Sequence, residues 1–263
     1  MTRRLSRRQS LKLASSLAVL SALPERELLA EESSATDRLD HWHHTPDRVF
    51  LGGEFWANPM EDWCLKDGWA ECLVVSGNRS VHSLTRALRN AEGSFSMSVR
   101  MRKAEGLIRD GGGGFRIGVK SDLDEHRSNC FASGGIDAGI VEGTLVLGRV
   151  SAPLEKPFSA GEVRLRLEGK PAATQRYDLT LTASLPDGTV LGTVTLAAQK
   201  SFVTGNLALV SQMKLGQKGR NEGAGWCFTD WRANGDALVS TPEHRFGPIL
   251  WTMYAVSDSR GDE

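Results

Sequence analysis

The sequence predicts an all-β chain, an antiparallel sandwich or barrel, on three observations. Beyond residue 48 apolar and polar residues alternate with period two, helical periodicity is almost absent, and turn chemistry falls between the alternating runs. Phe95, Met97, Val99 and Met101 alternate with Ser and Arg. Val163, Leu165 and Leu167 alternate with Arg164, Arg166 and Glu168. Tyr177, Leu179, Leu181, Ala183 and Leu185 alternate with Asp178, Thr180, Thr182 and Ser184. Each run sets one face toward a core and the other toward water. Pro186-Asp187-Gly188-Thr189 separates residues 176–185 from 189–197 and predicts a hairpin. Gly134-Gly135 and Glu142-Gly143 are further breaks, and more strands are expected at 69–75, 79–85, 113–119, 139–148, 205–213 and 226–233. Ten or more short strands at this spacing fit a sandwich or barrel.

Length and charge narrow the function classes. The 263 residues fit one large β-sandwich, and 40% hydrophobic content supplies a core. Lys+Arg and Asp+Glu both number 32, but the balance is uneven along the chain. Residues 1–12 hold Arg3, Arg4, Arg7, Arg8 and Lys12 and no acid, whereas residues 31–263 carry a net charge of −4. A basic footprint for nucleic acid is absent, so no nucleic-acid partner is expected. Cys64, Cys72, Cys130 and Cys227 form no C-x-x-C. Their plain reading is small buried hydrophobes, and a bridge is permitted in an oxidising compartment.

Residues 1–30 read as an export signal, 31–48 as a polar linker, 49–237 as the β-sandwich domain and 238–263 as a tail. The apolar stretch Leu13–Leu23 is shorter than the roughly 20 residues that span a bilayer, and it fits a signal core. Ser6-Arg7-Arg8-Gln9-Ser10-Leu11-Lys12 resembles the twin-arginine motif, with Ser10 where that motif prefers Phe. Arg7, Arg8, Leu11 and Lys12 are its matching residues. The resemblance implies a twin-arginine translocase as partner during export and a periplasmic or extracellular destination. Membrane contact would come only through an uncleaved signal.

Trp226-Cys227-Phe228-Thr229-Asp230-Trp231-Arg232-Ala233-Asn234-Gly235 resembles the last strand of concanavalin-like, laminin-G-like jelly rolls. Residues 111–119 resemble their central strand, and the hairpin at 176–197 looks like theirs as well. This likeness implies a two-sheet antiparallel jelly-roll sandwich. Phe55-Trp56-Ala57-Asn58-Pro59-Met60-Glu61-Asp62-Trp63, then residues 134–139 and 247–251, are similar to the region preceding the catalytic domain in exported alkaline-phosphatase-D-like proteins. The G-D-x-x-D and G-N-H motifs of a two-metal phosphatase are missing. The resemblance therefore implies an accessory module, with residues 247–257 as the first strand of a following domain.

Candidate sites are few. Seven tryptophans are present, and Trp56, Trp63 and Trp69 cluster in sequence. Tryptophans of a sandwich are ordinarily core residues. One of these three standing exposed beside Arg116 or Arg127 would make a glycan or anionic-polymer site. Asp122, Asp124 and Glu125 could offer hard oxygens to Ca²⁺, although a solvated acidic turn is their plainer reading and the spacing is no calcium-loop signature. His41-Trp42-His43-His44 is metal-friendly but sits in the expected linker. Gly111–Gly114 lacks the G-K-[ST] of a phosphate loop. Neither an E-x-D-x-E glycosidase strand nor a G-x-S-x-G nucleophile occurs. The expectation is an exported non-catalytic module that binds glycan or scaffolds a phosphatase-like domain, with no cofactor other than Ca²⁺. The alternatives are a concanavalin-like glycan hydrolase and a truncated product.

Overall fold

The computed structural model describes residues 38–105, 111–156, 161–173, 175–214, 221–222 and 225–247. The expected export signal, with Arg7, Arg8, Leu11 and Lys12, lies outside the described residues, as do 31–37 and 248–263.

Seventeen strands follow one another among the described residues. They are β1 (Phe55–Asn58), β2 (Trp63–Lys66), β3 (Trp69–Cys72), β4 (Val74–Val75), β5 (Arg79–Leu88), β6 (Phe95–Lys103), β7 (Gly113–Val119), β8 (Ile136–Val141), β9 (Thr144–Leu147) and β10 (Val150–Pro153). The rest are β11 (Glu162–Ala172), β12 (Arg176–Ser184), β13 (Val190–Gln199), β14 (Gly205–Ser211), β15 (Asn221–Glu222), β16 (Trp226–Asn234) and β17 (Leu238–Ser240). One sheet runs β13-β12-β11-β6-β16-β3-β2 and the other β1-β5-β14-β7-β8-β9-β10, with β17 added on β5. All their pairings are antiparallel. The fold is therefore an all-β antiparallel two-sheet sandwich. The first sheet is called the β6 sheet below and the second the β7 sheet.

The alternation supplies the seam between the sheets. Met97, Val99, Leu165, Leu167, Leu179 and Leu181 from the β6 sheet and Phe115, Ile117, Ala138, Leu147 and Leu209 from the β7 sheet join one buried cluster. Each large side chain buried there contributes on the order of 1.5–3 kcal/mol. Gly113 admits the ring of Trp226, since a Cβ at that position would stand 2.6 Å from its Cγ.

Two tight hairpins depend on positive φ at both central residues. Asp67-Gly68 (φ 49° and 77°) joins β2 to β3, and Glu142-Gly143 (φ 48° and 77°) joins β8 to β9. The run 139–148, expected as one strand, is thus two strands of a hairpin. The Pro186–Thr189 hairpin forms as expected, with the Leu185 amide donating to the Thr189 carbonyl at 2.8 Å.

Residues 39–48, expected as linker, belong to the folded sandwich, and Leu39 and Trp42 enter its core. Trp42 is 1% exposed, donates its indole N–H to the Leu51 carbonyl at 3.0 Å and meets the Phe55 ring at 5.1 Å. The Asp40 carboxylate accepts from the Trp231 amide, so this segment is tied to β16 by a charge-assisted bond. Residues 238–240, expected in the tail, pair with β5. All four cysteines are free thiols. Burial pushes Cys72 up to about 11 and Cys130 and Cys227 up to about 12, so these three are unreactive as thiolates at neutral pH. Among the described residues no helix is long and apolar enough to cross a membrane.

Truncation of the seam is expected to be costly. Leu165→Ala should lower unfolding stability by about 2–5 kcal/mol in urea titration, whereas Thr182→Ala on the exposed face of β12 should change it by less than about 0.5 kcal/mol.

Candidate functional site

The register of the β7 sheet brings distant residues into one row on its outer face. Trp56 lies opposite His82, His82 opposite Ala208, Ala208 opposite Arg116, and Arg116 opposite Asp137. A neighbouring row holds Asn58, Ser80, Val210, Gly114 and Gly139. Two of the sequence candidates, Trp56 and Arg116, therefore share a face, three strands apart.

Arg116 is fixed by a bidentate pair. Its Nε and Nη2 donate to the two oxygens of Asp137 at 2.6 and 3.2 Å, and Nη1 donates to Asn78. Such a fork holds the guanidinium in one orientation and compensates the loss of hydration. His82 is fully buried on the same row, and burial with the nearby Arg116 charge drives its pKa down to about 3. It is neutral at physiological pH. Its Nε2 lies 2.9 Å from the Ser80 hydroxyl, while Nδ1 is buried with no hydrogen-bond partner. A serine beside a histidine is the geometry of a nucleophile and its base. Here the base is too weakly basic for that work at neutral pH, and no carboxylate orients Nδ1. Both residues are buried, so the pair is a structural contact and is not poised for hydrolysis.

The segment 121–131 packs over the β1 and β14 end of this face. Asn129, fully buried, donates to the side chains of Asp124 and Asn206 at 3.1 Å each, and Asn206 donates back to the His126 carbonyl at 2.8 Å. Asn58 donates to the Cys130 carbonyl at 3.3 Å. These anchors present Phe131, which is 64% exposed, edge-on to the half-buried Trp56 ring at 5.3 Å. The Phe246 ring also approaches Trp56, tilted, at 5.5 Å. Beside them the rings of His126 and His244 stack at 3.7 Å. Burial and the facing His244 lower the His126 pKa, although Glu125 partly offsets this.

The other candidates are placed apart from this group. Trp63 is fully buried against Phe228 in the core and reaches no surface. Trp69 lies on the outer face of the β6 sheet, where the guanidinium of Arg102 covers its ring at 4.7 Å and that of Arg100 approaches to 5.7 Å. That ring is not free to stack on a ligand. Arg127 is exposed at the start of the turn Ser128–Phe131. Asp122 is exposed, Asp124 is ion-paired to Arg89 at 2.8 Å, and Glu125 accepts from the amides of Arg127 and Ser128 and pairs with His126. Among the described residues no group of three or more His, Cys, Asp or Glu is arranged to hold a metal ion. Sequence reasoning missed His82, Ser80, Asp137 and Phe131. Their association depends on strand register and on one turn, which local patterning does not reveal.

No family model matches the chain, and no curated protein sequence does. Solved structures similar to it include a lectin from Bauhinia forficata in complex with GalNAc, at 10% identity and TM-score 0.44, covering 76% of this chain and 96% of the lectin. Another is the exoplasmic/lumenal domain of VIP36 in its Ca²⁺/Man3GlcNAc-bound form, at 9% identity and TM-score 0.43, covering 79% of this chain and 91% of that domain. Arcelin-5, a lectin-like defense protein from Phaseolus vulgaris, is similar at 8% identity and TM-score 0.44, covering 69% of this chain and 91% of arcelin-5.

The buried neutral His82 makes stability depend on pH. Its folded pKa lies below the unfolded value of about 6.5, so the unfolded state binds the extra proton in between. The stability it contributes is present in full above pH 6.5 and is lost as pH falls toward 3, by about 1.4 kcal/mol per pH unit. Urea titrations at pH 7 and pH 5 should show a smaller loss for His82→Gln than for the unaltered protein.

Proposed function

We propose that this chain is an exported glycan-binding module that works without catalysis of its own. The observation that carries the reading is Phe131, held 64% exposed and edge-on to Trp56, at the end of the row that contains the fixed Arg116–Asp137 pair. Aromatic rings with one apolar face open to water suit the C–H faces of sugars, and charge-assisted or amide groups nearby suit their hydroxyls. Asn58, on the same face of β1 as Trp56, and the exposed Arg127, at the start of the turn that carries Phe131, are the candidates to supply such groups. The contrast with Trp69 supports the choice of face, since its ring is already occupied by arginine. The weak basicity of His82 and its Nδ1 without a hydrogen-bond partner speak against hydrolysis by the Ser80–His82 pair, which supports the non-catalytic reading.

The leader motif around Arg7 and Arg8 supports export by the twin-arginine route to a periplasmic or extracellular site. The likeness of residues 55–63, 134–139 and 247–251 to the region before an alkaline-phosphatase-D-like catalytic domain supports a role as accessory to such a domain. In that role the module would hold the catalytic partner against a glycan-rich surface.

Calorimetric titration of the full chain against a panel of neutral oligosaccharides, paired with an assay for released reducing ends, tests the reading. Binding without product release is expected. Phe131→Ala should weaken it about tenfold, equivalent to about 1.4 kcal/mol, with an unchanged melting temperature. Product release, or affinity indifferent to Phe131→Ala and Trp56→Ala alike, would overturn it.

A further inference from the structure

Phe131 shares its degree of exposure with only one other aromatic side chain among the described residues, Phe202 at 60%. The two lie far apart in the strand order. Trp56 and Phe131 border β1 at one edge of the β7 sheet, whereas Phe202 borders a cleft reached from β8 and the β9–β10 turn at the other. The cleft has a volume of about 330 Å³, at the lower end of the range of about 300–1,000 Å³ usual for small-molecule sites. Leu196 contributes apolar floor, and Arg149, Arg176 and Gln199 supply the polar wall. A second recess of about 400 Å³, lined by Gln175 and Ser201, shares Arg176 and Gln199 with it.

The charges in this cleft differ from those on the outer face of the β6 sheet. There Arg100, Arg102, Arg164, Arg166 and Arg232 each meet a carboxylate, respectively Glu162, Glu71, Asp230, Glu168 and Asp230. No acid lines the cleft, and neither Arg149 nor Arg176 forms an ion pair with a carboxylate among the described residues. Arg176 donates one N–H to the Ala197 carbonyl at 3.0 Å, which holds its guanidinium at the cleft wall with other donors free. Two uncompensated guanidinium groups in one small cleft favour an anion, and their planar forks match a carboxylate.

Phe202 is presented on a braced turn. It belongs to the short helix Lys200–Val203, whose two ends are buried at 7% and 1% exposure. Lys200 is ion-paired to Glu92 at 2.5 Å, its amide donates to the Gln175 carbonyl at 2.9 Å, and Lys120 donates to Thr204 at 2.8 Å just beyond the helix. The charge of Lys200 is thereby directed away from the cleft, and the phenyl ring is held outward at its rim.

We propose that this cleft binds a carboxylated sugar, a hexuronate unit. Its carboxylate pairs with Arg149 and Arg176, its C–H face rests on Phe202, and its hydroxyls meet the amides of Gln175 and Gln199. The site is independent of the one at Trp56 and Phe131 and stands whether or not that one binds glycan. Saturation-transfer NMR and calorimetric titration of the full chain with glucuronate, glucose and acetate test it. Glucuronate should bind saturably, at least tenfold more tightly than either glucose or acetate. Arg176→Gln and Phe202→Ala, both at exposed positions, should each weaken glucuronate at least fivefold with unchanged melting temperature. Trp56→Ala should leave it unaltered. Glucuronate no tighter than acetate would reduce the cleft to a plain anion site, glucuronate no tighter than glucose would remove the arginines from the argument, and indifference to Arg176→Gln would place binding elsewhere. Each of these results overturns the proposal.

Discussion

Everything in this protein hangs on the separation of two sheets by a single layer of interlocked side chains. Packed sheets stand about 10 Å apart, a distance that side chains from both inner faces must fill without voids. Met97, Val99, Leu165 and Leu181 on one side and Phe115, Ile117, Leu147 and Leu209 on the other meet this requirement. Where the layer needs more volume, Trp226 and Trp231 fill it, and Gly113 yields space to the first of them. A well-filled seam fixes the register of each strand, because a slip by one residue would turn every apolar side chain outward. Register in turn decides which residues meet on the outer faces. The row from Trp56 to Asp137 is thus a by-product of core packing, although none of its polar members lies in the core.

The two outer faces have been used differently. That of the β6 sheet is a lattice of partly exposed ion pairs whose arginines meet acids on the same strand, the adjacent strand or the next one over. Pairs of this kind add little stability, but they keep a long flat sheet soluble and unattractive to other strands. That of the β7 sheet carries buried polar groups, including His82, Asn129, Asn206 and Arg116. Most are satisfied by one another, which makes them directional supports. Asn129 and Asn206 hold the turn that carries Phe131, and Lys200 with Glu92 holds the helix that carries Phe202. In both places a buried polar side chain, Asn129 or Lys200, makes the contact that braces the segment displaying an aromatic ring to water.

Much of the fold was legible in the sequence, because β6, β11 and β12 each have one wet face and read as clean alternation. The signal fails where both faces are covered. Every residue of β14 is buried, so its pattern Gly-Asn-Leu-Ala-Leu-Val-Ser carries no information about which side is inward. It fails also at Trp42, whose histidine neighbours disguise a core anchor as solvated linker. The candidate site was legible only in part. Trp56, Trp63 and Trp69 are equivalent as letters, and what separates them is burial for Trp63 and the overlying arginines for Trp69. The pairing of Arg116 with Asp137 spans 21 residues of sequence and follows from adjacent strands in register.

The sealed thiols have a consequence for the order of events in the life of this chain. Cys72 and Cys227 are near enough to influence each other's charge, yet both are buried and unbonded in the finished fold. An extended chain would offer all four sulfurs to any oxidant at once, and four cysteines admit three full pairings, none of them present in the native structure. Folding in a reducing environment removes that hazard, since burial withholds three of the sulfurs from exchange before an oxidant is met. For this molecule tertiary structure acts as a redox shield, which withholds three of its four sulfurs from any oxidant met after folding.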